Sequence, residues 1–351
     1  MKSTLYASFI FIIILVSFSA ESINLYRSDY YPNHDNDYFF RPIVDMMIAN
    51  NSLFGVENWS HKVLMFSIKD DIVLIRQIGG AGQAPAEFRL PSRISVWNDE
   101  MLIKDDANLS FFDINGNFKN RFARLAYGSG SICLFSHDKI YMLNLKIDEG
   151  HLIDVYTKDG EKISELGKKY LEVDASKYQG FGPFGIGRTI YEGVLLSEGD
   201  NIIYVNFKFG DIIKFNLKGN ELSKSNISRY FGKHGKKVLK TNRKIFIDQG
   251  VKLNRTNSFI PANTVIVDAY QALDKIYLLE SDFTPGVKKR KNMIRIIAVE
   301  TDSFSQVEEY VFNIKEMNRI VSFAVAHSDD KPVFYVSMET DDFIIAKFET
   351  K

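Results

Sequence analysis

Gly180-Phe-Gly182-Pro-Phe-Gly185 matches letter for letter the glycine pattern that cradles a dinucleotide pyrophosphate. That chemistry needs a strand before the first glycine and a helix after it, because the helix N-terminus receives the phosphate charge. A polar stretch, Val173 to Gln179, comes first and strands are expected after it, so the motif reads as a loop between sheets. Asp113-Ile-Asn115-Gly116-Asn117 imitates the opening of a calcium loop, but the sixth position is Phe118 and the twelfth is Arg124, where glycine and a bidentate glutamate are required. It reads as a hairpin turn. The adjacent carboxylates Asp105 and Asp106 would point to opposite faces of a strand, which suits turn capping better than shared acid/base work.

Six histidines, at 34, 61, 137, 151, 234 and 327, show neither H-x-H nor H-E-x-x-H spacing. Gly128-Ser-Gly130 lacks the order of a nucleophile elbow. The single cysteine, Cys133, lies in the apolar run Ile132 to Phe135 and reads as a buried, inert thiol, and no disulfide within the chain is possible. What remains is charge with aromatics beside it. Tyr178, Phe181, Phe184 and Arg188 fall in one long link between apolar runs. Lys233, Lys236, Lys237, Lys240, Arg243 and Lys244 fall in a second, and Lys288, Lys289, Arg290 and Lys291 in a third segment. Aromatic rings beside dense positive charge suit an acidic protein surface or an anionic glycan.

The elements that must position these groups are short runs separated by polar turns. From Gly79 to Phe122 the runs Ser92–Trp97, Met101–Lys104, Leu109–Ile114 and Phe118–Phe122 alternate by two around turns at Asn98-Asp99, Asp105–Asn108 and Asn115-Gly116. That is a four-stranded antiparallel meander. Similar units recur from Ile43, Gly130, Thr189 and Thr264, and a last one from Arg319 shows only three runs before the chain stops. One sheet cannot bury both its faces, so recurring sheets are expected to stack around an axis, with Leu25–Tyr31 or Tyr38–Arg41 supplying the missing strand. Asx-Gly or Lys-Gly turns at Gly116, Gly160 and Gly219 echo between units. So do aromatics near the ends of third strands, at Phe66, Phe112, Tyr156, Phe215 and Phe348. A helical period is expected nowhere.

Successive strands reverse direction, so the turn between second and third strands and the link to the next sheet emerge on one face. The long links Lys168 to Arg188 and Lys233 to Pro261, and the loop Ser281 to Lys291, are therefore expected to gather on that face.

Composition agrees with an all-β chain: 351 residues, 45% hydrophobic, with 28 Phe and 17 Tyr. With 44 basic and 44 acidic side chains the global charge favours neither nucleic acid nor an anionic membrane. Residues 1–20, with Lys2, the apolar run Leu5 to Val16 and small residues at Ser19 and Ala20, read as a cleaved export signal too short to span a membrane. Residues 21–351 then form one domain, secreted or periplasmic and monomeric, without membrane insertion.

Gly79-Gly-Ala-Gly82, Pro85-Ala-Glu87-Phe88, Pro91, Ile94-Ser-Val, Met101-Leu-Ile-Lys-Asp105, Asn108-Leu-Ser-Phe111-Phe112-Asp113 and Asn115-Gly116 resemble a repeat of the NHL type. The whole chain resembles the exported bacterial six-bladed β-propellers built from it. The resemblance implies that fold and leaves the function unassigned. Many such relatives are lipoproteins, whereas no cysteine follows the apolar run here.

The expectation is thus a six-bladed β-propeller of four-stranded blades, closed by an N-terminal strand, that binds without catalysis. Its ligand face would carry Tyr178, Phe181, Phe184, Arg188, Lys236, Lys237, Lys240, Lys289 and Arg290, with no cofactor. The alternative is a metal-dependent hydrolase or lyase, with three or more His, Asp, Glu or Asn side chains converging on calcium or zinc in the channel. A structural member of an envelope complex, marked by a broad apolar patch, is the third view.

Overall fold

The computed structural model describes residues 22–32, 41–106, 108–123, 129–178, 183–249, 265–281, 293–314 and 317–351. Alternating Ile, Val, Phe and Tyr pair as expected into meanders. The first meander is β2 (Ile43–Ala49), β3 (Ser52–Glu57), β4 (Lys62–Ser67) and β5 (Val73–Gly79). The second is β6 (Pro91–Trp97), β7 (Glu100–Asp105), β8 (Asn108–Asp113) and β9 (Phe118–Ala123). The third is β10 (Ser129–Ser136), β11 (Lys139–Asn144), β12 (His151–Tyr156) and β13 (Lys162–Lys168). The fourth is β14 (Gly193–Glu198), β15 (Asn201–Asn206), β16 (Asp211–Asn216) and β17 (Glu221–Asn226). Each is a separate four-stranded sheet.

A fifth sheet has eight strands, β18-β19-β20-β21-β1-β24-β23-β22. Its members are β18 (Ile266–Ala272), β19 (Lys275–Ser281), β20 (Met293–Glu300), β21 (Gln306–Asn313), β22 (Arg319–Ser328), β23 (Lys331–Glu339), β24 (Phe343–Thr350) and β1 (Ser22–Tyr31). The chain's first described strand therefore lies beside its last, antiparallel from Leu25 opposite Thr350 to Tyr31 opposite Ile345. Of the two strands expected to fill this place, Leu25–Tyr31 does so. In the other, positions 38–40 lie outside the described residues. A second pairing was not anticipated: Ser22–Asn24 runs parallel to Glu309–Val311 of β21 and fuses two meanders into one sheet. Where six separate sheets were expected, the described residues form four plus this fused one.

The first strands of the meanders adjoin in cyclic order, β2 to β6, β10, β14, β18, β22 and back to β2. Their facing surfaces bury the core. Phe54, Val56 and Val63 of one sheet pack with Ile94, Met101 and Phe112 of the next, and Leu102 and Phe111 of that sheet pack with Phe135, Ile140 and Met142 of the third. Burying each such side chain contributes roughly 1.5–3 kcal/mol. Of the third-strand aromatics, Phe66, Phe112, Phe215 and Phe348 are buried, whereas Tyr156 is only half-buried at the edge of its cluster, so the expected packing layer holds in four of the five.

Polar side chains stitch neighbouring first strands together. Asp45 on β2 accepts from the Ile94 N–H of β6 at 2.7 Å. The Ser95 hydroxyl bonds both backbone groups of Phe135 on β10, accepting at 2.9 Å and donating at 3.1 Å. Asp268 on β18 accepts from Phe323 N–H of β22 at 3.2 Å, and Ser322 donates to Ile43 O at 2.7 Å. Each stitch satisfies a backbone group at a seam between sheets, where strand pairing has no partner to offer.

Two expectations of loops are corrected. The link after β13 contains helix α1 (Pro183–Ile190), and the link after β17 contains helix α2 (Lys233–Arg243), continued by a wider helical turn over Lys244–Gln249. A helical period is therefore present: Gly235, Val238, Leu239 and Asn242, at i, i+3, i+4 and i+7, are the buried face of α2. The glycine motif at 180–185 also differs from expectation, since a helix rather than a strand starts inside it. β13 ends at Lys168, however, so no strand leads directly into the first glycine.

Candidate functional site

Side-chain contacts confirm which connections share a face. Asn58, in the turn between β3 and β4, donates to Pro91 O at the start of β6 at 2.6 Å. Asp105, at the end of β7, accepts from the N–H of Arg89 at 2.8 Å, which is the capping role expected of it. Lys169, just beyond β13, donates to Glu149 O in the turn between β11 and β12 at 2.8 Å. Second-to-third turns and sheet-to-sheet links therefore sit together, and both helices belong to this link face.

Helix α1 is seated on the third and fourth sheets. Gly187 lies so close to the turn after β11 that an added Cβ would meet Leu145 O at 1.6 Å. Asn206, wholly buried, donates to Ile190 O at 2.9 Å while accepting from the N–H of Lys208 and Phe209 at 2.9 Å each. Helix α2 is seated by Val238 and Leu239 against Phe207, Ile227 and Phe231. Asn242 donates to Lys208 O at 3.1 Å. The two links also meet, because the Tyr178 hydroxyl donates to Phe246 O and Lys177 donates to Asp248 O at 3.1 Å.

Tyr178 is thus a corrected candidate: it is 5% exposed and packs the two helices together, which leaves its ring unavailable to a ligand. Arg188 is exposed on α1. Phe184 belongs to α1, while Phe181, Lys289 and Arg290 lie outside the described residues, as do Lys288 and Lys291. Lys233, Lys236, Lys237 and Lys240 are exposed on α2, and Lys244 is exposed in the wider turn that continues it. Arg243 is committed elsewhere, to Asp211 at 2.6 Å and to the Phe209 ring at 5.2 Å.

The five lysines gain no counterion locally, although Lys240 lies in the last turn of α2, where the helix dipole favours a cation. Among the described residues none forms an ion pair, and the segment 233–247 contains no Asp or Glu. Lys233 stands in the first turn, where the helix dipole repels a cation. Lys236, Lys240 and Lys244 repeat at i, i+4 and i+8, a like-charge series that costs helix stability. The arrangement offers an exposed cationic ridge on a firmly packed helix.

Two other clusters could do chemistry. At the axis, Asp45 pairs with Arg93 at 3.1 Å, and Asp268 is close enough to feel both. Burial raises the Asp45 carboxyl, with Arg93 opposing. Burial, reinforced by the Asp45 charge, pushes Asp268 up to about 7. Cys133 is nearby and is half-buried rather than buried; desolvation still pushes its thiol up to about 11 despite Lys104 and Arg93, which agrees with the inert sulfur expected. On the outer hairpin β12–β13, His151, Asp154 and Glu165 bring ligating atoms within 4.8 Å of one another. The Lys162 ammonium already sits among them, 2.6 Å from Asp154 and 2.6 Å from Glu165. That cluster holds its own cation. Neither cluster is signalled by spacing: the outer one is assembled by the register of β12 and β13, and the axial one only by the adjacency of first strands from different sheets.

No family model matches the chain, and no curated protein matches it. Solved structures do. A Bacteroides fragilis protein assigned as exported is 13% identical, with 93% of this chain and 95% of that chain covered at a TM-score of 0.54. Raptor from Chaetomium thermophilum is 8% identical over 90% of this chain and 28% of its own, at a TM-score of 0.51. Virginiamycin B lyase from Staphylococcus aureus is 10% identical over 93% of this chain and 99% of its own, at a TM-score of 0.45 too low to carry an argument. At such identities the likeness concerns the fold alone. With the cyclic order of first strands, it defines an all-β protein of the β-propeller class. Among the described residues no helix is long and apolar enough to cross a membrane.

Proposed function

We propose that the chain is a six-bladed propeller of the NHL-like kind, the eight-stranded sheet counting as two blades that β1 joins. Residues 1–20 direct its export, and residues 21–351 act at the cell envelope as a monomeric, non-catalytic recognition domain. The ligand, an acidic protein or an anionic glycan, is held on the link face. The repeat pattern around Gly79–Gly116 and the cyclic order of the first strands support the blade count. The observation that carries the binding reading is the lysine ridge of α2 and the turn after it: exposed cations without local counterions, several of them at like-charge spacing. The metal-dependent alternative needs three ligating side chains at the axis, whereas the axial cluster of Asp45, Asp268 and Arg93 offers two carboxylates and a guanidinium already paired with one of them.

The test is retention on immobilised polygalacturonate and on an immobilised poly-glutamate at ordinary salt. Triple reversal, Lys236→Glu with Lys237→Glu and Lys240→Glu, is expected to abolish retention on at least one of them. The unfolding free energy should stay within about 0.5 kcal/mol, because these side chains are exposed. Retention that survives the reversal on both supports overturns the reading.

A further inference from the structure

The same face carries an apolar feature far from α2 in sequence. Trp59 is 73% exposed, the highest exposure among the large apolar side chains of the described residues, and Leu90 is 50% exposed. Both sit on backbone that is tied down. Trp59 is the middle residue of the single helical turn Asn58–Ser60, closed by His61 N–H donating to Asn58 O at 3.2 Å. The preceding Glu57 is fully buried and accepts from Arg41 N–H at 2.6 Å. Leu90 is held by its own N–H, which Asp105 accepts, and by its carbonyl, which accepts from Asp106 N–H at 3.2 Å. The Asn58 side chain then locks the two segments together through Pro91 O at 2.6 Å. Indole and isobutyl group are thus both exposed on rigid supports, on two segments that the Asn58–Pro91 bond ties together, although burying them elsewhere would have been worth several kcal/mol in sum.

Two arginines belong to the same tied segments: Arg41, exposed, whose N–H donates to Glu57, and Arg89, next to Leu90, exposed and only loosely paired, 3.8 Å from an equally exposed Asp106. Tryptophan and arginine around an apolar contact are the composition of an interface hot spot, and a preordered anchor loses little entropy on binding. A leucine on a segment tied to that of the indole fits an aliphatic or aromatic side chain better than the hydroxyl-rich surface of a sugar.

We propose that Trp59, Leu90, Arg41 and Arg89 form a protein-docking anchor, and that its occupant is a peptide segment of a partner protein with an apolar side chain set among acidic residues. The inference rests on the link face being the binding face, and it decides between the two ligand classes in favour of protein. It does not require the lysine ridge, which lies on another link.

The experiment pans a random peptide library displayed on phage against the full chain and against Trp59→Ala, Leu90→Ala and the α2 triple reversal. The full chain should enrich peptides bearing Leu, Ile, Phe or Met next to Asp or Glu. Trp59→Ala should weaken the enriched peptides by at least about tenfold, Leu90→Ala by less, and both should melt as the parent does. Double replacement of Arg41 and Arg89 by Ala should weaken binding most at low salt. The proposal is overturned if no such enrichment appears, if Trp59→Ala binds the peptides as well as the parent, or if only soluble polygalacturonate competes with Trp59-dependent binding. Failure of the α2 reversal alone would remove the ridge and leave this anchor standing.

Discussion

The axis and the link face both carry charge, and they treat it in opposite ways. At the axis every described charge has been given something to hold. Asp45 takes Arg93 and the Ile94 N–H, and Asp268 takes the N–H groups of Ala269 and Phe323. On α2 and the turn that follows it, five exposed lysines have no ion-pair partner among the described residues. A buried charge that is fully paired is spent on holding the ring together, and an exposed charge that is unpaired remains available to something that arrives. The difference explains why the axis, although it contains the most perturbed carboxyl, is the weaker candidate for binding.

The largest effect should come from breaking the axial pairing. Arg93→Met keeps most of the side chain's volume while leaving Asp45 and Asp268 as two buried acids without a cation. Stranding a buried charge costs about 3 kcal/mol or more. Chemical denaturation should show a loss of that order at neutral pH, with the deficit shrinking in acid as the carboxyls take up protons. A loss under about 1 kcal/mol would mean that the pair contributes little to closure.

A smaller effect sharpens the same contrast through pH. The folded Asp268 carboxyl is raised from its ordinary value of 3.8 to about 7, so between those values the native chain holds a proton that the unfolded chain has released. Stability therefore falls as pH rises through that window and levels off above about 7. Asp45 is also raised and adds in the same direction. The unfolding midpoint should decline from pH 5 to pH 7.5, and Asp268→Asn should flatten most of that decline, even though the amide can satisfy only one of the two backbone donors. A native midpoint that rises over this range would show that burial does not dominate at the axis.

How far each region could be read from the sequence follows from the range of its interactions. The meanders were legible because their determinants are local: Gly116, Gly160 and Gly219 adopt φ of +82°, +85° and +87° in the turns where the letters placed them. The axial stitches were not legible, because Asp45 and Ile94 are 49 residues apart and meet only through the cyclic order of the sheets. Helix α2 lies between these cases. Its buried face, Gly235, Val238, Leu239 and Asn242, was written at helical spacing, but glycine and asparagine contribute no hydrophobic signal and the intervening lysines dominated the reading. The basic cluster was recognised and its element was not. Tyr178 is likewise not legible as a core residue, because the cluster that buries it includes Phe246, 68 residues on, to whose carbonyl its hydroxyl donates.

The smallest effect is the most diagnostic for the link face. Lys236→Glu places a carboxylate near the N-terminal end of α2, three residues from Lys233 and four from Lys240, turning two repulsive neighbours into two attractive ones where the helix dipole also favours an anion. Each such exposed pair is worth about 0.2–0.5 kcal/mol, so the variant should unfold at slightly higher denaturant than the parent. Its retention on an acidic support should nevertheless fall, because two of the remaining cations are now neutralised within the helix. At Arg93 a substitution lowers stability because the charge serves the fold. At Lys236 a substitution should raise stability and lower binding together, as expected for a charge that serves a ligand. If Lys236→Glu instead destabilises the chain, the ridge is answering a charge within the molecule, and the contrast between axis and face disappears.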